Sequence, residues 1–241
     1  MMKTLLLGAS GATGRLLVNE LISKDIEVTV IVRNKEKFET LIVPNPKIRV
    51  IEGNILDMPD AEVLKYVNDN DSFLSCLGHN ISLKGLFGKP RRLVTDSIKR
   101  IVNAHLQSES NIKKKLVLMN TTGNCNHDEN EKPPLSQRFV VFLLRYLLPP
   151  HADNESAANF LRINIGQNNN FIEWVAVRPD GLIDEKEVSE YQVSVSPTTN
   201  VIFNPGKTSR INVAHFMASL LKTTGLWQKW AGKMPVVYNC A

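Results

Sequence analysis

The sequence predicts a doubly wound α/β fold of the Rossmann kind, a mainly parallel sheet with helices on both faces. Three observations carry that prediction. Short, near-continuous apolar runs recur along the chain, as strands buried on both faces require. Amphipathic segments separate them, and right-handed strand–helix–strand crossovers then build a doubly wound sheet. A glycine-rich turn, GASGATG, joins the first apolar run to the first amphipathic segment within one βαβ unit.

Taken in order, Thr4–Leu7 is the first strand and Arg15–Ile22 the helix after the glycines. Glu27–Val32, Ile48–Ile51 and Ser72–Leu77 follow as strands two to four. Val94, Ile98, Ile101 and Val102 recur at helical spacing, and His105 falls on the same stripe as a packed histidine. Leu116–Met119 is the fifth strand and Phe171–Val177 the sixth. The segment 185–205 alternates at Tyr191, Val193 and Val195, which adds a strand or hairpin near the sheet's end. The tail holds a helix at Asn212–Leu221, with a structural His215, and a short closing strand at Val236–Tyr238.

Two segments after the fifth strand stand apart. The stretch 121–134 is polar and proline-bearing, and LSQRFVVFLLRYLL (135–148) is strongly apolar. The apolar run is too short to span a bilayer and carries Arg138 and Arg145. It is expected as a helix buried under a loop or in a homodimer or protein-partner interface, with membrane-surface or acyl-chain contact as the alternative. PPHADNESAANFLR (149–162) then reads as a new helix. Its prolines end what precedes, Asp153 or Asn154 caps its free N–H groups, and Ala157, Ala158, Phe160 and Leu161 form its apolar side.

The 241 residues suit one domain, 1–241, with an insertion at 124–150 and a smaller C-terminal portion at 180–241 on the substrate side. Cys76, Cys125 and Cys240 form no CxxC pair, and nothing near Met1 resembles a signal peptide, so a reduced, cytoplasmic setting is expected. The net charge is +5, but the basic residues are scattered apart from 89–92 and 113–115, without interleaved aromatics. A solvated basic face or a phosphate-bearing cofactor accounts for this better than nucleic acid. Cys125–Asn126–His127–Asp128 is one short cluster in a polar loop, and no metal is expected there.

The glycine turn carries the first functional expectation. Gly8, Gly11 and Gly14 allow a tight turn and let backbone N–H groups approach a pyrophosphate at a helix N-terminus. Ser10 and Thr13 add hydroxyls for the phosphates, and Ala12 completes the turn. An acidic residue at the end of the second strand would bind the adenosine ribose and select NAD. This strand ends in Arg33–Asn34, and a guanidinium there pairs with a 2′-phosphate and stacks on adenine. The expected cofactor is therefore NADP(H), with Arg33 as its main determinant.

GASGATGRLLVNELISKDIEVTVIVRN resembles the opening of the atypical, extended-type short-chain dehydrogenase/reductases. The likeness is greatest to their NAD(P)H-binding group containing flavin/biliverdin-IXβ reductase and nitrogen-metabolite-repression regulators. EGNILD (52–57) is similar to the family turn after strand three, which implies that Asp57 contacts adenine. FLSCLGHN (73–80) resembles the strand-four loop along the cofactor, which implies roles there for Cys76, Leu77 and Gly78. MNTTG (119–123) places Thr121 where the family has a serine or threonine. WVAVRPDG (174–181) and SRINVAHF (209–216) resemble later family turns, which adds Pro179 to the cofactor set and gives Arg178 and Arg210 turn-organising roles.

One departure bears on catalysis. Classical members carry Tyr-x-x-x-Lys at the helix after strand five, and neither Tyr66, Tyr146, Tyr191 nor Tyr238 has lysine four residues on. The motif's positions fall near Pro150 and Asn154. The remaining candidates are His79 in the strand-four loop, Thr121 with its neighbour Thr122, and His151, whose ordinary pKa suits proton donation near neutrality. Hydride transfer needs chiefly that nicotinamide and acceptor be held in contact. The resemblance thus implies reduction of a small planar acceptor, a flavin, quinone or tetrapyrrole. The rival reading is an NADP(H)-sensing regulator with a protein partner and no turnover. A nucleotide-sugar epimerase or dehydratase comes third, because that chemistry also uses the tyrosine.

Overall fold

The computed structural model describes residues 1–79, 88–108 and 110–240, with the side chain of Tyr146 excepted; Asn80 of the strand-four loop lies outside the described residues. The strands are β1 (Met2–Leu7), β2 (Ile26–Val32), β3 (Ile48–Glu52), β4 (Ser72–Ser75), β5 (Lys114–Met119), β6 (Ile172–Pro179), β7 (Gly181–Ile183), β8 (Tyr191–Ser194), β9 (Lys207–Ser209) and β10 (Val236–Asn239). The described helices are α1 (Ala12–Ser23), α2 (Lys35–Glu39), α3 (Asp60–Asn68), α4 (Leu93–Leu106), α5 (Leu135–Leu147), α6 (Pro149–Asn159), α7 (Arg210–Lys222) and α8 (Thr224–Trp230).

The main sheet has the order β3-β2-β1-β4-β5-β6-β10-β8. All its pairings are parallel except that of β10 with β8, which runs antiparallel from Val236–Ser194 to Asn239–Tyr191. This is the doubly wound architecture expected, with β8 as the added edge strand. β7 and β9 form a separate parallel pair beyond β6.

Alternate residues of each central strand enter opposite cores, as the pleat dictates. Leu6, Val30, Val117 and Val175 meet α1, α2, α7 and α8 on one face. Leu5, Leu7, Ile31, Leu116 and Trp174 meet α3, α4 and α6 on the other. Two apolar faces on every strand explain why the strands read as continuous runs rather than alternating ones. His105 is fully buried on α4, and its Nε2 lies 3.1 Å from the Phe171 carbonyl oxygen.

Two expectations are corrected. The helix at 149 does not begin at a cap from Asp153 or Asn154. Pro149 and Pro150 occupy its first turn, where no intrahelical N–H partner is needed, and Asp153 lies inside it. The apolar helix α5 is not buried under a loop. It packs on α6, and Leu135, Phe139, Phe142, Leu143 and Leu147 stand exposed.

Candidate functional site

The parallel strands end on one edge of the sheet, and the turns after them gather most of the residues picked out above. Strand order reverses between β1 and β4, where open α/β sheets form their ligand crevice. Gly8 sits in that crevice with φ +78°, and a Cβ added there would lie 2.5 Å from the Cys76 carbonyl carbon and 2.6 Å from the Leu77 nitrogen. A Cβ on Gly14 would lie 2.1 Å from the Gly8 carbonyl oxygen. Both glycines are therefore required by backbone packing. Together they draw Gly8–Gly14 against Cys76–Leu77.

The N-terminus of α1 is open to an anion. Gly11 occupies the cap with no side-chain hydrogen bond, and no acidic residue lies in the first turn. By contrast, Asn34 caps α2 through Lys37 N–H (2.7 Å), and Ser209 caps α7 through Asn212 N–H (3.2 Å). The uncapped N–H groups and the helix dipole favour negative charge at Ala12–Gly14. Ser10 is exposed at this turn, whereas Thr13 is buried.

Arg33 is exposed directly after β2, beside the turn that follows β3, where Gly53 N–H donates to the Val32 carbonyl (2.8 Å). Asp57 is exposed in that turn and receives the Asn54 amide (2.7 Å). Gly78 is exposed in the turn after β4. Burial pushes the Cys76 thiol up to about 12 and, together with Glu131, raises Cys125 to about 11, so neither is an activated nucleophile.

His79 is turned inward. Its side chain is only 4 % exposed, and Nε2 donates to Asp153 Oδ2 at 2.8 Å. The same carboxylate receives the N–H groups of Val94 (2.8 Å) and Thr95 (3.0 Å), and the Thr95 hydroxyl donates to the Asp153 carbonyl. Asp153 therefore caps α4 from inside α6 and ties both to the turn after β4.

The turn after β5 forms the other wall. Asn120 donates to the Asn154 carbonyl (2.9 Å) and accepts from Thr121 N–H (2.9 Å); the Thr121 hydroxyl oxygen accepts from Gly123 N–H (3.2 Å). His151, in the first turn of α6, lays its ring on Gly123: Cε1 would lie 3.1 Å from a Cβ at that position. Its Nε2 is buried without a hydrogen-bond partner among the described residues, and burial lowers its pKa from the usual histidine value. Burial thus disfavours its protonated form. Thr121 and His151 flank one glycine.

Asp180, next to Pro179, is a centre that the sequence does not single out. It accepts from the hydroxyls of Thr122 (3.1 Å) and Thr199 (3.2 Å) and from Gly206 N–H (2.9 Å). The Tyr238 hydroxyl oxygen accepts from Thr198 N–H (3.3 Å) and lies 3.4 Å from the Thr199 hydroxyl. Behind it, Arg178 is fully buried and forks onto Glu131 at 2.6 and 2.9 Å, while donating to Asn124, Met234 and Val195 carbonyls. Burial opposes ionisation of Glu131, yet the Arg178 bonds and the Asn126 N–H hold its pKa below the usual value. This pair clamps the loop after β5 to β6 and to the residue after β8.

Among the described residues, no group of three or more His, Cys, Asp or Glu side chains is arranged to hold a metal ion. Tyr191, bonded to His215 Nδ1 (2.8 Å), and Tyr66, bonded to Glu62 (2.7 Å), are engaged in structural contacts.

A family model described as NAD(P)H-binding matches residues 8–224. No curated protein sequence matches the chain. Among solved structures, a putative NADH-flavin reductase from Streptococcus pneumoniae TIGR4 superposes over 100% of both chains, with TM-score 0.68 and 15% identity. A wide-type short-chain dehydrogenase/reductase from Veillonella parvula, solved with NADP, covers 99% of this chain and 94% of its own (TM-score 0.68, 15% identity). An anaerobillin reductase from Escherichia coli O157:H7 covers 99% and 97% (TM-score 0.67, 14% identity). At these identities the likeness is one of fold, and it agrees with the resemblance carried by the motifs.

Proposed function

The chain belongs to the NAD(P)H-binding family, and from that premise we propose that it is an NADP(H)-dependent oxidoreductase that passes hydride to a small planar acceptor. The observation that carries the reading is the crevice at the β1–β4 switch point. There, two glycines that admit no Cβ bring backbone N–H groups to the uncapped end of α1. A pyrophosphate fits that end, with Ser10 and Thr13 supplying hydroxyls. Arg33, exposed after β2 with no acid beside it in sequence, suits an adenosine 2′-phosphate, and Asp57 suits the adenine edge. Cys76, Leu77, Gly78 and Pro179 line the path of the remaining cofactor.

When bound, the cofactor's nicotinamide would supply the hydride. The chain's own residues orient the partners and exclude water. Thr121 and His151 flank Gly123, and the orphaned His151 Nε2 is the group we assign to hydrogen-bond an acceptor oxygen or nitrogen. His79 supports that wall through Asp153 and does not act on the acceptor. A putative NADH-flavin reductase and an anaerobillin reductase among the fold neighbours make planar acceptors the class to test first.

The test is a panel of FMN, quinones and biliverdin incubated with the protein and NADPH, following loss of reduced-nicotinamide absorbance. Acceptor-dependent oxidation supports the reading. Tight NADPH binding with no turnover across the panel would replace it with the sensor.

A further inference from the structure

We propose that Glu52 is a second determinant of cofactor choice, a carboxylate set against Arg33 that holds down the preference for NADPH over NADH. The proposal rests on the NAD(P)H-binding reading above and concerns only the 2′ position of the adenosine ribose. Its placement follows from the strand. Ile48, Val50 and Glu52 alternate along β3, and the first two pack on the core face that α2 covers through Phe38. Glu52 is the polar last member of that row. The register pairs it with Val32, the residue before Arg33, and the Val32 carbonyl accepts from Gly53 N–H at 2.8 Å. The two strands therefore deliver a guanidinium and a carboxylate to adjoining places on one sheet edge.

Glu52 is exposed, and its Oε1 accepts from the Lys35 amide at 3.2 Å. Its carboxylate thus lies against the backbone just past the Arg33–Asn34 ending of β2. Three neighbours are engaged elsewhere. Lys35 Nζ lies 3.8 Å from Glu39, Asn34 accepts from the Lys37 amide at 2.7 Å, and Asp57 accepts the Asn54 amide at 2.7 Å. Among the described residues neither Arg33 nor Glu52 forms an ion pair, so both charges remain available to a ligand.

This arrangement gives the 2′ position two opposed charges. A 2′-phosphate drawn to Arg33 meets the Glu52 carboxylate and finds the Lys35 amide already taken. A ribose hydroxyl meets no such repulsion and can donate to a carboxylate, as it does to the acid that ends the second strand in NAD-selective folds. Here the acid comes from the third strand, so the ending of β2 does not reveal it. One carboxylate about 5 Å from a phosphate dianion, in water-like surroundings, weakens binding on the order of tenfold.

The test is calorimetric titration of the full-length protein with NADPH and with NADH at low salt, for the wild type, Glu52→Gln and Glu52→Asp. Glutamine keeps an oxygen for the Lys35 amide, so the thermal midpoint should not move. The expected result is that Glu52→Gln binds NADPH about tenfold more tightly, with NADH no tighter than in the wild type. High salt should shrink that gain, because the repulsion is between exposed charges. Glu52→Asp, which keeps the charge, should keep the wild-type preference. An NADPH-to-NADH affinity ratio no higher in Glu52→Gln than in the wild type would overturn the proposal and leave the cofactor reading intact. Equal tightening of both cofactors would overturn it in the same way. A wild type that binds neither cofactor would overturn the reading and the proposal together.

Discussion

The crevice between β1 and β4 and the wall built after β5 stand side by side on one sheet edge, yet they are held by different physics. The first is a backbone construction: Gly8 and Gly14 exist because main-chain atoms of Cys76, Leu77 and Gly8 leave no room for a side chain. The second is a side-chain construction. Arg178 reaches Glu131, Asp153 reaches Val94 and Thr95, and Thr122 reaches Asp180, each across more than forty residues of sequence. Damage to the backbone site should therefore appear in cofactor affinity, and damage to the wall should appear in stability or in acceptor handling.

The largest effect expected is on stability. Arg178→Met leaves the Glu131 carboxylate buried without its partner and should cost about 3–5 kcal/mol, read as a lower urea midpoint. If NADPH affinity falls in proportion, the two regions are not separable. Gly8→Ala forces a side chain into a left-handed position against the Cys76 main chain, and a penalty of about 3 kcal/mol would weaken NADPH binding on the order of a hundredfold. An ordinary isotherm for that variant would remove the backbone argument.

Asp153→Ala strips two α4 N–H groups and His79 of their acceptor and should destabilise by roughly 2 kcal/mol, with a smaller effect on NADPH affinity than Gly8→Ala. Arg33→Ala should weaken NADPH about tenfold and leave NADH nearly unchanged, since only the former carries the 2′-phosphate. Equal NADPH affinity in the variant and the wild type would make Arg33 a solvated surface residue.

The smallest effect is a pH slope. Burial lowers the pKa of His105, His151 and His215 from the ordinary 6.5. The unfolded chain then binds more protons than the folded one below that value. Stability is full above pH 6.5 and falls as pH drops from there through the lowered folded values. Urea midpoints that stay flat between neutrality and about pH 5 would contradict the burial of these rings.

The same contrast explains what was readable in the sequence. GASGATG, the apolar strands and the absence of an acid after β2 are local patterns, so the parallel sheet and the glycine turn at its crevice follow from short stretches. In the sequence Asp153 or Asn154 reads as a cap of its own helix, because capping is normally local. In the structure Asp153 caps α4, across 59 and 58 residues. Asp180 gave no signal beyond its place in RPDG, since its partners Thr122, Thr199 and Gly206 lie on separate loops. Helix α5 misled in another way. Its apolar spacing predicts a helix correctly, but periodicity does not say whether the apolar side turns inward.

The most direct test of the central claim is a single turnover without oxygen, with protein in excess over NADPH and a flavin or biliverdin as acceptor. The wild type should oxidise NADPH only when the acceptor is present, and Gly8→Ala, at the same concentrations, should do so far more slowly. NADPH that binds tightly and stays reduced with every acceptor would contradict it, and would leave a cofactor sensor in place of a reductase.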